Sequence, residues 1–275
     1  MRLDSHQHFW NYDEQQYPWI QHGWPIRRSY GPEDLAPELA QCGLAGSVAV
    51  QARQSLTESR WLLELAERSP LIKGVVGWVD LRSPELPGQL AEFSPHPKFV
   101  GVRHVVQDEP DDEFMLTVPF QRGIGRLREF DLTYDLLVYP RQLMAAGELA
   151  HAFPHQPFVL DHIAKPLIRK GEISDWAATI RELAALPNVS CKVSGMVTEA
   201  DWRSWQPADF KPYLDVVFAA FGPERVMYGS DWPVCLLAGD YGRVFELAQQ
   251  YVRPLGAEAE ARFFGGNAAA FYGLT

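Results

Sequence analysis

With 275 residues, 47% of them hydrophobic, the chain can bury one large core, as a single barrel-sized domain or two smaller ones. Its 35 acidic and 25 basic side chains leave a formal net charge of -10, and without a long basic run nucleic acid is not an expected partner. The spacing of Cys42, Cys191 and Cys235 fits neither a zinc clip nor a disulfide framework, and no apolar run reaches membrane-spanning length.

The chain begins Met1-Arg2-Leu3-Asp4, without the apolar core of a signal peptide, so a soluble cytoplasmic protein is expected. "LDSHQHFW" (residues 3–10) reads as a first strand. The stretch 9–33 then holds Trp10, Tyr17, Trp19, Trp24 and Tyr30, an aromatic loop long enough to lie over a binding mouth. "GLAGSVAVQA" (43–52) suits a strand buried on both faces. The next stretch reads as a helix capped at Ser55 or Thr57, with Trp61, Leu62, Leu65 and Ala66 on one stripe. Further strands are read at 72–81, 99–106, 132–139, 157–164, 189–195 and 225–233, with a helix at 142–153. About eight strands alternating with helices favour a single (β/α)8 barrel domain over residues 1–275. A doubly wound open sheet is the alternative, weakened because no glycine-rich dinucleotide turn follows the first strand.

Barrel enzymes carry their chemistry at the carboxyl ends of the strands. Polar residues recur there in this chain: His6 and His8, Gln51, Trp78 and Asp80, Arg103 and His104, Tyr139, Asp161 and His162, Lys192 and Ser194, and Asp231. A strand histidine or an aspartate before a turn has ordinary structural uses. The recurrence at one end of apolar strands is the unusual feature, because ionisable groups are costly to bury unpaired. His6 and His8, two apart on a strand, project to the same face. Such a pair can chelate a divalent ion or donate two hydrogen bonds to one oxygen.

In this order, "LDSHQHFW", "VVGWVDL", "GVRHVVQDEPD", "VLDHIAKP", "CKVSGMVTEAD" and "YGSDWPV" resemble the amidohydrolase superfamily, and more closely the sugar lactonases of its amidohydrolase-2 group. The resemblance spans nearly the whole chain. It implies a (β/α)8 barrel that hydrolyses an ester-like bond, a sugar-acid lactone such as an L-fucono- or L-rhamnono-lactone. It implies Asp231 as general base, with His6, His8 and His162 around the scissile carbonyl. Arg103, His104, Tyr139, Lys192 and Gln51 would bind substrate, and Trp24, Trp78 and Trp232 would offer apolar faces to the sugar.

Metal-dependent relatives use the histidine pair, a histidine ending strand five and the strand-eight aspartate. Here strand five ends in "LLVYP", with Tyr139 at that place. The reading is therefore of an enzyme that requires no cofactor. The alternative is one divalent ion, zinc, on His6, His8, His162 and Asp231. A metal-dependent decarboxylase on the same barrel and a non-enzymatic sugar-acid binder are the competing classes. The exposed helix faces show no decisive apolar stripe that would assign an oligomeric state.

Overall fold

The computed structural model describes residues 1–274. The short apolar runs form β1 (Asp4–Gln7), β2 (Ser47–Val50), β3 (Ile72–Gly77), β4 (Phe99–His104), β5 (Thr133–Leu136), β6 (Phe158–Leu160), β7 (Val189–Val193) and β8 (Val226–Tyr228). All pair in parallel, each with its neighbour in sequence. The last strand returns to the first: Asp231 N donates to His6 O at 2.8 Å and His8 N to Trp232 O at 2.7 Å. The sheet thereby curls into the barrel that regular β/α alternation predicts.

A helix follows each strand: α1 (Pro32–Gln41), α2 (Leu56–Arg68), α3 (Leu86–Phe93), α4 (Val118–Leu127), α5 (Leu143–Ala152), α6 (Ser174–Ala184), α7 (Pro207–Phe221) and α8 (Tyr241–Val252). Two short helices, α9 (Ala257–Ala261) and α10 (Asn267–Tyr272), end the chain. Ser55 caps α2 by accepting from Glu58 N, and Asp240 caps α8 by accepting from Arg243 N. The α2 stripe is rotated from the expected one. Leu62, Leu63 and Ala66 are buried, whereas Trp61 and Leu65 stay half-buried at its edge.

Strand alternation sorts the core into two parts. Outward residues pack under the helices in one large apolar cluster. Val48, Val50, Val76, Val100, Val159 and Met227 form a second cluster inside the barrel, packed with Ala268 and Tyr272 of α10. No described helix is long and apolar enough to cross a membrane.

The loop after β1 has an aromatic core of its own and ends at residue 31, because residues 32 and 33, read as loop from the sequence, open α1. Trp10 is fully buried, bridges to Tyr30 and donates from Nε1 to Arg28 O. The rings of Tyr17, Trp19 and Tyr30 surround it. The Tyr17 hydroxyl donates to Glu58 Oε1 at 2.8 Å, and Glu58 Oε2 accepts from Ala52 N and Arg53 N, tying the loop to α2 and to the end of β2.

Candidate active site

Strand pairing ends earlier than the apolar runs do, so several expected strand-end residues sit in turns beyond the sheet. Asp161 and His162 follow β6 in a tight turn, in which His162, Ile163, Ala164 and Lys165 all have positive φ, between 49° and 59°. Asp231 follows β8 with φ 57°. Left-handed backbone is unfavourable for side-chain-bearing residues and tends to gather at functional sites. Here it accompanies a consecutive pair, Asp161 and His162, that both contact His6.

Four groups named from the sequence meet at the mouth. His6 Nε2 and His8 Nε2 are 3.3 Å apart, and His8 Nε2 lies 3.2 Å from Asp231 Oδ1. His6 Nε2 and His162 Nε2 each stand 3.9 Å from the same oxygen. The His6 and His162 rings meet edge-on with centroids 4.5 Å apart. His8 Nδ1 donates to Val50 O at 2.8 Å, and His162 Nδ1 is 2.8 Å from Ser194 Oγ, so each ring turns Nε2 to the shared space. Gly195 is required beside it: its φ is 60°, and a Cβ there would lie 2.5 Å from His162 Nδ1.

Electrostatics separates these groups. Burial holds His6 and His162 well below the usual histidine range. Burial also pushes Asp231 up, but the imidazoles of His162 and His8 and the Lys165 charge outweigh it, and the carboxyl ends below its ordinary value. The mouth thus holds a carboxylate anion among imidazoles, a pairing suited to removing a proton from water.

Other residues lie elsewhere than the sequence suggested. Arg103 points inward, where Nη1 donates to Asp161 Oδ2 at 2.9 Å and lies 3.2 Å from His6 Nε2, and Nη2 donates to Gln51 O. Gln51 Nε2 donates to Arg103 O. His104, one residue on, faces the opposite side of its strand, because neighbouring strand residues alternate. It stacks on Phe114, pairs with Glu109 Oε1 at 2.7 Å and meets Trp78 Nε1 at 3.4 Å, turned away from the imidazole cluster. Lys192 has no exposure and is ion-paired with Asp135 and Asp161 below the imidazoles, so it does not face the mouth. Trp232 is covered by Phe9 and Tyr30, which leaves it without a free face for a sugar. Tyr139 lies past the end of β5, half-buried, with Lys165 Nζ 5.6 Å from its ring centroid. Trp24 is half-buried and meets Trp202 edge-on at 5.7 Å.

Asp135 was missed. It sits in the apolar run "LTYDLLVY" at an inward position of β5, and its charge within that run was the available signal. Asp161, named only as a strand-end residue, bridges Arg103, Lys192 and His6. Burial pushes Asp161 up, yet Lys192, His6 and Arg103 together hold it well below the carboxylate range. Asp4 anchors the turn bearing Asp231: it accepts from His6 N and Ser230 N through Oδ1, and from Ser230 Oγ and Tyr241 OH through Oδ2.

His6, His8 and Asp231 also form a set of metal-ligand type. Their facing atoms are 3.2 to 3.9 Å apart. Ligands at about 2.1 Å in a tetrahedron would be separated by roughly 3.4 Å, so the tripod fits zinc. The Arg103 guanidinium 3.2 Å from His6 Nε2 works against an added cation at that nitrogen.

Residues 3–274 match the amidohydrolase family model. An L-fucono-1,5-lactonase of Burkholderia multivorans is 43% identical over 286 aligned residues, which cover 100% of this chain and 96% of the relative. A second L-fucono-1,5-lactonase, from Burkholderia ambifaria, is 41% identical, with 98% and 95% covered. A crystal structure of an amidohydrolase from Burkholderia multivorans with bound zinc aligns with a TM-score of 0.96 at 43% identity, covering 100% of both chains.

Proposed function

Because the chain belongs to the amidohydrolase family, we propose that it is a hydrolase that opens a sugar-acid lactone, with L-fucono-1,5-lactone as the first substrate to test. The observation that carries this reading is Asp231, a buried carboxylate with depressed basicity, 3.2 Å from one imidazole and 3.9 Å from two more. In this reading a water beside Asp231 attacks the lactone carbonyl. Asp231 takes a proton from that water as the C–O bond forms. Nε2–H groups of His6 and His162, whose Nδ1 atoms face the donors Lys192 Nζ and Ser194 Oγ, donate to the developing oxyanion, each worth on the order of 3 kcal/mol when preorganised, while His8 holds Asp231 in place. The ring C–O bond then breaks, and Asp231 returns its proton to the leaving alkoxide. One water and one lactone give one hydroxy acid.

We further propose that no metal is needed. A lactone is more electrophilic than an amide, and Arg103 already supplies positive charge beside His6. Zinc bound by His6, His8 and Asp231 would act as a Lewis acid on the carbonyl or lower the pKa of the attacking water. Cys42, Cys191 and Cys235 are all free, which supports a reducing, cytoplasmic setting.

A panel of aldonolactones read by acid release tests the reading. Turnover of L-fucono-1,5-lactone above the rate without enzyme is the expected result. Carbon dioxide release from a hydroxybenzoate, or sugar-acid binding without turnover, would replace it with one of the competing classes.

A further inference from the structure

Below the imidazoles lies a set of charges that the proposed reaction does not consume. β5 and β7 send Asp135 and Lys192 into the barrel, and Asp161 joins them from the turn after β6; all three have no exposure. The Lys192 ammonium donates to Asp135 Oδ2 at 2.5 Å, lies 3.0 Å from Asp161 Oδ1 and reaches His6 Nδ1 at 3.1 Å. From the other side comes Tyr272, on the C-terminal helix α10. Its ring packs in the interior apolar cluster, and its hydroxyl lies 2.8 and 2.9 Å from the two oxygens of Asp135. A continuous path of polar contacts therefore runs from α10 through Tyr272, Asp135 and Lys192 to His6.

Stability is a poor explanation for this path. Barrel interiors are usually filled by branched apolar side chains. Buried ion pairs seldom outperform such packing, because desolvation offsets their attraction. The path does fix one object. Lys192 is held by two carboxylates, and its ammonium sits against one nitrogen of His6 while the other nitrogen faces His8 and Asp231.

We propose that Tyr272, Asp135 and Lys192 are positioning residues that set the placement of the His6 ring, making the C-terminal helix part of the active-site machinery. This rests on the reading of His6 as a group that acts on the lactone carbonyl. A misplacement of about 1 Å can cost roughly 100-fold in rate, so a small shift of the ring is readable in kcat.

The test uses the full chain in four forms: wild type, Tyr272→Phe, the double variant Asp135→Asn with Lys192→Met, and Tyr213→Phe. The last removes one tyrosine hydrogen bond, to Glu172 O, away from this path. The double variant removes the Asp135–Lys192 pair together, avoids leaving Asp135 charged without Lys192, and leaves Asp161 paired with Arg103. Each form is measured for kcat and KM on the lactone, for Tm, and for the ring-nitrogen NMR shifts of His6 without substrate. The expected result is a fall in kcat of about 10-fold for Tyr272→Phe and about 100-fold for the double variant, with KM within about twofold and displaced His6 signals. Tyr213→Phe keeps both. Folded variants with wild-type kcat and unmoved His6 signals overturn the proposal. If the double variant does not fold, Tyr272→Phe alone decides. A wild type that opens no lactone, with His6 signals still displaced in Tyr272→Phe, refutes the reaction and leaves the positioning role standing.

Discussion

Asp231→Asn isolates the proton transfer from the architecture around it. The amide keeps the size of the carboxyl and removes its charge and basicity. Asparagine tolerates left-handed backbone better than most residues, so the φ of 57° at this position is retained. Removing a positioned general base costs about 100- to 10,000-fold in rate, or roughly 3–5 kcal/mol at 1.36 kcal/mol per decade. Substrate contacts other than this oxygen are untouched, so KM should stay within a few-fold and Tm within a few degrees. The assay is initial-rate acid release at pH 6–7, where hydroxide-driven opening of the lactone is slow. The depressed basicity of Asp231 adds a pH signature. In the wild type it is already ionised in the ordinary carboxylate range, so its acid limb in kcat/KM lies on the acid side of that range. Retention of kcat within about fivefold in a folded Asp231→Asn protein would remove Asp231 from the base role.

Extended dialysis against a chelator, with metal content measured alongside activity, should leave the lactonase rate unchanged; loss of rate that zinc restores would show a metal-dependent enzyme. Gly195→Ala places a methyl 2.5 Å from His162 Nδ1 on a backbone with φ 60°. It should lower kcat by 10-fold or more through ring displacement, and wild-type kcat would contradict the geometry around His162. Asp4 is fully buried and burial raises its pKa to about 6, against 3.8 when exposed. For a raised carboxyl, the stability it contributes is present below about pH 3.8 and lost as pH rises through about 6, on the order of 3 kcal/mol in all. The unfolding free energy of Asp4→Asn should therefore improve relative to wild type by about that amount between pH 4 and pH 7. A difference independent of pH would show that Asp4 does not titrate in this window.

The sequence by itself determined the barrel. Strand and helix periodicities are local, and eight apolar runs separated by amphipathic stretches satisfy few other architectures, so the strand positions read from the pattern agree with β1 to β8. It also placed His6, His8, His162 and Asp231 among the polar residues at strand ends, and the resemblance to the amidohydrolase-2 lactonases singled out these four. Only the tertiary structure decided which groups touch. Asp231 reaches His8 across 223 positions of chain, a contact made by the closing seam between β8 and β1. Arg103 and Lys192 looked like substrate ligands from their place on the strands, yet their charges are taken up by Asp161 and Asp135 inside the barrel. Trp232 looked like a platform and is covered by the loop folding back from residue 9. The reason is common to all three. Periodicity specifies the face of an element a side chain occupies, but its partner across the barrel depends on closure, stagger and the turn beyond each strand, and charges buried there must find one another.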